Sequence, residues 1–133
     1  MSSSEEPRAR EPRRRVLLVD DEPTTRFSLG RYLTLQGLEV DAVATQQEAD
    51  DRIDRQSFHV VITDLRLSGS DGTEGLDIIA HARSRQPEAT VILLTAYGTP
   101  EVLRAARALG VTAILSKPAS LEAVLEAVNA SRP

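Results

Sequence analysis

Short apolar runs alternate along this chain with longer segments whose apolar residues return every three to four positions. Runs of that length read as strands, and the longer period reads as helix. The pattern predicts a strand at Val16–Val19 and a helix from Pro23 to Gln36, with Leu29, Tyr32 and Leu33 inward and Gly37 as its stop. A second strand follows at Leu38–Ala44. Thr45 to Glu48, "TQQE", is a capping box opening a second helix that turns Ala49 and Ile53 inward. A third strand is predicted at Phe58–Asp64, and a third helix at Glu74–Gln86, halted before Pro87. A fourth strand is predicted at Thr90–Ala96. Thr99 and Pro100 cap and open a fourth helix carrying Val102, Ala105, Ala106 and Leu109, and Gly110 closes it. The last pair is a strand at Ala113–Ser116 and a helix capped by Ser120, with Leu121, Val124, Leu125 and Val128 on its inner stripe.

Five repeats of strand then helix predict a parallel sheet with crossover helices. The first, third and fourth strands are almost wholly apolar, which argues cover on both faces. Right-handed crossovers then give a doubly wound, three-layer α/β/α sandwich.

Polar residues fall at one end of these strands. In such folds ligands bind beyond the carboxyl ends. The first strand ends in Asp20-Asp21, the third in Asp64, the fourth in Thr95 and the fifth in Lys117-Pro118. Adjacent carboxylates repel and are costly to desolvate unless something neutralises them. A hard divalent cation such as Mg2+ does so through oxygen ligands. A carboxylate can also attack phosphorus, and a metal, an ammonium and a hydroxyl can stabilise the charge that develops. The simpler reading of Asp20 and Asp21 is a cap for the first helix.

Composition narrows the choice. The chain has 133 residues and no cysteine, which excludes disulfides and thiolate chemistry. No apolar run reaches membrane-spanning length and no signal-peptide pattern opens the chain, so a soluble cytoplasmic protein without a membrane partner is expected. Residues 1–15 hold five Arg against three Glu, while the remainder has eleven basic and seventeen acidic residues. An acidic folded part does not suit nucleic-acid binding. Residues 1–14 read as a disordered tail, 15–130 as one domain and 131–133 as its end. Of sixteen basic residues fifteen are Arg, and the single Lys is Lys117 at the polar edge. His59 and His81 show no partner pattern.

"VLLVDDEP", "VVITDL", "VILLTAYG" and "ILSKPAS", in this order and each at a strand end, resemble the receiver domain of two-component response regulators. The match covers residues 15–130. The resemblance implies a flavodoxin-like sheet of order 2-1-3-4-5. It implies that Asp64 accepts a phosphoryl group from a histidine kinase or histidine phosphotransfer protein. Asp20 and Asp21 would hold Mg2+ with Asp64 and the backbone carbonyl of Arg66, Asp21 being the direct ligand of the pair. Thr95 and Lys117 would bind phosphoryl oxygens beside the small Ala96, and Pro118 would follow a cis bond. Such a domain catalyses only its own phosphorylation and dephosphorylation. It signals to a downstream protein by repacking the fourth helix, fifth strand and fifth helix, as a stand-alone regulator or a phosphorelay carrier.

Three departures from the family pattern stand out. Ile114 occupies a position usually held by Tyr or Phe, with Tyr97 as a partial substitute. Ser68 stands where Pro is usual. The third helix has two possible registers: one starts from Asp71-Gly72, and the other from "GLDII", Gly75 to Ile79, which lengthens the loop after Asp64 by three residues. Arg66 and Tyr97 flank the expected site, at positions that the resemblance implies tune acyl-phosphate hydrolysis: a bulky pair would shield it from water, and the plain alternative is two exposed side chains. Two rival readings remain: a receiver-fold module that binds without switching, and an aspartyl-phosphate phosphatase. The second usually needs an acid two residues after the nucleophile, where this chain has Arg66.

Overall fold

The computed structural model describes residues 13–67, 72–96 and 98–130. The predicted tail through residue 12, Ser68, Asp71, Tyr97 and residues 131–133 lie outside the described residues. The elements run β1 (Arg15–Val19), α1 (Pro23–Leu35), β2 (Glu39–Val43), α2 (Gln46–Arg55), β3 (Val60–Asp64), α3 (Glu74–Arg85), β4 (Thr90–Thr95), α4 (Pro100–Ala108), β5 (Ala113–Ser116) and α5 (Leu121–Ala130). The five strands pair in parallel in the order β2-β1-β3-β4-β5.

Side chains alternate across a strand, so each central strand feeds two cores. Val16, Leu18, Val60, Ile62, Ile92 and Leu94 pack under α1 and α5 with Leu29, Leu33, Val124 and Val128. Leu17, Val19, Val61, Val91 and Leu93 face the other way, onto Ala49 and Ile53 of α2, Ile78, Ile79 and Ala82 of α3, and Ala106 of α4. Burying each such aliphatic side chain contributes about 1.5–3 kcal/mol. The unbroken apolar runs therefore set both layers at once.

The local signals act as expected at most ends. Thr45 and Glu48 form a reciprocal capping box, Thr99 accepts from Val102 N–H at 3.2 Å, and Ser120 accepts from Ala123 N–H at 3.0 Å. Gly37 and Gly110 end α1 and α4 at φ of 94° and 95°. The aspartates do not cap α1. Glu22 does, its Oε1 accepting from Thr25 N–H and Thr25 Oγ1, both at 2.8 Å. Leu121, expected inward, is 36 % exposed at the first turn of α5, and Ala105 is only half-buried.

The register of α3 is decided by backbone contact. A Cβ on Gly75 would lie 2.3 Å from the Asp64 carbonyl oxygen and 2.7 Å from Leu65 Cα. Gly75 N–H also donates to the Leu65 carbonyl at 2.9 Å. Gly72 makes no such approach; it sits at φ 73° beside the Arg66 side chain. Gly75 is thus the glycine packed against the strand end, and the longer loop after Asp64 is the correct reading.

Candidate functional site

Parallel pairing brings the carboxyl ends of β1, β3, β4 and β5 to one edge. Asp20 follows Val19 directly and is fully buried. Its Oδ1 accepts from Glu22 N–H at 2.9 Å, and its Oδ2 accepts from Lys117 Nζ at 3.1 Å. Lys117 Nζ also donates to Asp64 Oδ2 at 3.0 Å. Lys117 is held at its backbone too, its N–H donating to the Thr95 carbonyl at 2.9 Å, and the Lys117-Pro118 bond is cis. Carboxylate oxygens of Asp20, Asp21 and Asp64 lie within 4.8 Å of one another.

Asp21, Asp64, Arg66, Thr95, Ala96 and Lys117 line one cleft of about 680 Å³. Its far wall is apolar, with Leu29 of α1, Pro118 and Ala119 of the β5–α5 loop, and Leu121 and Val124 of α5. Thr95 is nearly buried. Among the described residues, the side chains expected at the site therefore reach one place. Asp20 stands behind the cleft wall, engaged by Lys117, while Asp21 and Asp64 face the open space.

Electrostatics follow from this packing. Burial raises the Asp64 carboxyl above its ordinary value, opposed by the Lys117 bond and by Arg66 N–H, and reinforced by the Asp20 charge. Burial alone would lower the Lys117 ammonium, but its bonds to Asp64 and Asp20 outweigh this and raise it. The site thus keeps its ammonium charged while the Asp64 carboxylate carries a desolvation cost.

Three carboxylates so close, supplying only hard oxygen donors, fit a divalent cation of the Mg2+ or Ca2+ type. Such an ion would supply the positive charge that offsets their repulsion.

The chain matches the response regulator receiver domain over residues 16–129. It belongs to that family. It is 34% identical over 116 residues to the response regulator protein PilR of Pseudomonas aeruginosa, a match covering 87% of this chain and 25% of PilR. The chain thus spans about a quarter of the length of such curated relatives. Among solved structures it resembles a CheY-like receiver domain protein of Methanospirillum hungatei, with TM-score 0.84 and 27% identity, covering 90% of this chain and 93% of that one. It also resembles a Burkholderia pseudomallei response regulator, with TM-score 0.79 and 29% identity, covering 86% of this chain and 66% of the other. That structure contains a phosphorylated aspartic acid, a calcium ion and citrate.

His59 and His81 are satisfied structurally: His59 Nδ1 accepts from Arg15 N–H at 2.9 Å, and His81 Nε2 lies 2.8 Å from Asp54 Oδ1. Ile114 is half-buried against the α2–α4 core, with Val102 and Leu109 also packed there. Sequence reasoning missed Glu22 as the cap, Arg26, and the apolar wall of the cleft. The signal for Glu22 was its position, since Pro23 at the first helical position marks the residue before it as the cap, although Glu is not among the preferred cap types.

Proposed function

We propose that this receiver domain is a phosphorylation-dependent switch in which Asp64 takes a phosphoryl group from the phosphohistidine of a histidine kinase or histidine phosphotransfer protein. The observation that carries the reading is Lys117 Nζ bonded to both Asp64 and Asp20, with Asp21 alongside at the mouth of the cleft. An Asp64 carboxylate oxygen attacks phosphorus, the P–N bond breaks, and its electron pair returns to the imidazole. The donor enters through the cleft, because that is where Asp64 meets open space. Mg2+, held by Asp20, Asp21, Asp64 and the Arg66 carbonyl, supplies charge neutralisation when bound. Lys117 and Thr95 bind phosphoryl oxygens, and the small Ala96 leaves them room. The relative that carries a phosphorylated aspartate and a calcium ion supports both the acceptor and a divalent ion.

Phosphorylation then biases the α4–β5–α5 face, which contacts a downstream protein in the cytoplasm. The chain catalyses its own phosphorylation and dephosphorylation and turns over no other substrate. Arg66, not an acid, stands two residues past Asp64 on the cleft, which weighs against a phosphatase. One observation favours a second reading, a module that binds without switching: Ile114 puts an aliphatic side chain at the position expected to carry a moving aromatic.

Intact-mass measurement after incubation with acetyl phosphate and Mg2+ tests the first reading. Wild type gains one phosphoryl group and Asp64→Asn gains none; equal gain in both overturns Asp64 as acceptor. Beryllofluoride with Mg2+ separates the two readings. Amide shifts reaching α4 and α5 support the switch, and shifts confined to the cleft support the passive module.

A further inference from the structure

Adjacent carboxylates can serve one ion only if the peptide between them is held. Asp20 is held on every side: its N–H donates to the Val43 carbonyl at 3.1 Å, Oδ1 accepts from Glu22 N–H, and Oδ2 accepts from Lys117. The Asp21 carboxylate has no such bond among the described residues, so its direction is set by its backbone. The Asp20–Asp21 peptide has one further anchor, which comes from α1. Arg26 sits one turn into the helix, with its N–H donating to the Glu22 carbonyl at 2.9 Å. Long helical side chains lean back towards the N-terminus. The Arg26 guanidinium does so, and its Nη1 donates to the Asp20 carbonyl oxygen at 2.8 Å.

We propose that Arg26 is a positioning residue for the divalent-cation site, clamping the Asp20–Asp21 peptide so that the Asp21 carboxylate points into the cleft. This rests on the proposed metal-dependent reading of the site. Arg26 does not itself line the cleft, and its guanidinium bond goes to the Asp20 main chain rather than to a carboxylate of the site. It works through the carbonyl it holds.

The clamp and the charge of Arg26 push in opposite directions, which makes the role measurable. By charge alone, Arg26 disfavours a cation beside the three carboxylates, so neutralising it would tighten cation binding. As a clamp it favours the cation, and its loss weakens binding. Partners of this outer kind typically contribute 10–100-fold in metal affinity.

The experiment is a Mg2+ titration followed by amide NMR shifts, with wild type, Arg26→Gln and Arg26→Lys. Arg26→Gln is expected to weaken Mg2+ binding about tenfold. Arg26→Lys, which keeps the charge but has a shorter reach and no planar fork, falls between the two. At saturating Mg2+, labelling of Arg26→Gln by acetyl phosphate returns to near the wild-type rate, which a general structural defect would not allow. Unchanged or tighter Mg2+ binding in Arg26→Gln overturns the clamp. If Arg26→Gln loses its dispersed spectrum, Arg26→Lys decides: wild-type affinity there overturns the clamp. If wild type itself takes no Mg2+, the metal-dependent reading falls and the clamp falls with it. If wild type binds and both variants match it, only the clamp fails.

Discussion

Gly75→Ala is the sharpest perturbation of this fold, because the new methyl group meets backbone rather than side chain. Its Cβ would lie 2.3 Å from the Asp64 carbonyl oxygen, 0.7 Å inside the 3.0 Å that real contacts respect, and 2.7 Å from Leu65 Cα. No rotamer change relieves it, so α3 or the end of β3 must shift. Overpacking of this kind costs about 1–3 kcal/mol, and backbone on the receiving side puts it at the upper end. Replacing a helical Gly by Ala returns about 1 kcal/mol. The net loss is about 2 kcal/mol, which moves a urea midpoint by roughly 1 M at ordinary m-values. Gly72→Ala is the control. It pays for a left-handed φ of 73°, but its Cβ meets only the Arg66 side chain, at 3.2 Å. Urea unfolding together with amide NMR separates them. Gly75→Ala should move the Asp64 and Leu65 amides strongly and slow acetyl phosphate labelling up to about 100-fold, because displacements near 1 Å are that costly. Gly72→Ala should leave those amides and the labelling rate near wild type. Wild-type amide shifts in Gly75→Ala, or the larger disturbance in Gly72→Ala, would refute the longer-loop register.

Two further outcomes follow from single contacts. Lys117→Arg keeps the charge, but its planar fork cannot reproduce one ammonium bonded to two carboxylates at 3.0 and 3.1 Å; labelling should slow roughly 10–100-fold, and a wild-type rate would show that charge alone suffices. Burial raises the Asp50 carboxyl, and its Oδ1 is buried without a hydrogen bond. An acid raised in the fold loses stability as pH climbs through its unfolded and then its folded value. Asp50→Asn should therefore melt higher than wild type at pH 7 and no higher at pH 3, and thermal melts at the two pH values check the sign.

Much of the fold is legible because one physical rule decides it. Apolar runs buried on both faces make β1, β3 and β4 central strands, and the crossover rule then allows few arrangements. The site is legible for the same reason, since a residue just past a parallel strand has only one edge to reach. What the linear pattern hides is packing between elements. Leu121 keeps helical spacing with Val124 and Val128, yet it opens onto the cleft, because α5 starts at the rim rather than over the sheet. The α3 register turns on a 2.3 Å approach between Gly75 and the Asp64 carbonyl, and nothing in the spacing of two glycines signals which one is against backbone. Arg26 escaped notice because its partner is a main-chain carbonyl six residues back, which no side-chain pairing rule marks.

The same burial that shapes the site should make it a weak point in the metal-free fold. Desolvation is the largest influence on Asp64 and holds its carboxyl above the ordinary 3.8, with the Asp20 charge adding to it. A carboxyl raised by folding binds its proton more readily in the native state. Its stabilising effect is therefore present only at low pH and is lost as pH rises through the folded value. At neutral pH an ionised Asp64 destabilises the fold, and a neutral isostere removes that penalty while still able to accept from Lys117. Asp64→Asn should thus melt above wild type in the presence of a chelator. Mg2+ at ten times its dissociation constant adds about 1.4 kcal/mol to a protein that binds it only when folded. Wild type should gain that increment and Asp64→Asn less, so the two melting curves converge or cross as Mg2+ is added. If Asp64→Asn instead melts below wild type under chelation and gains equally from Mg2+, the Lys117 bond outweighs desolvation and Asp64 is not a ligand of the ion.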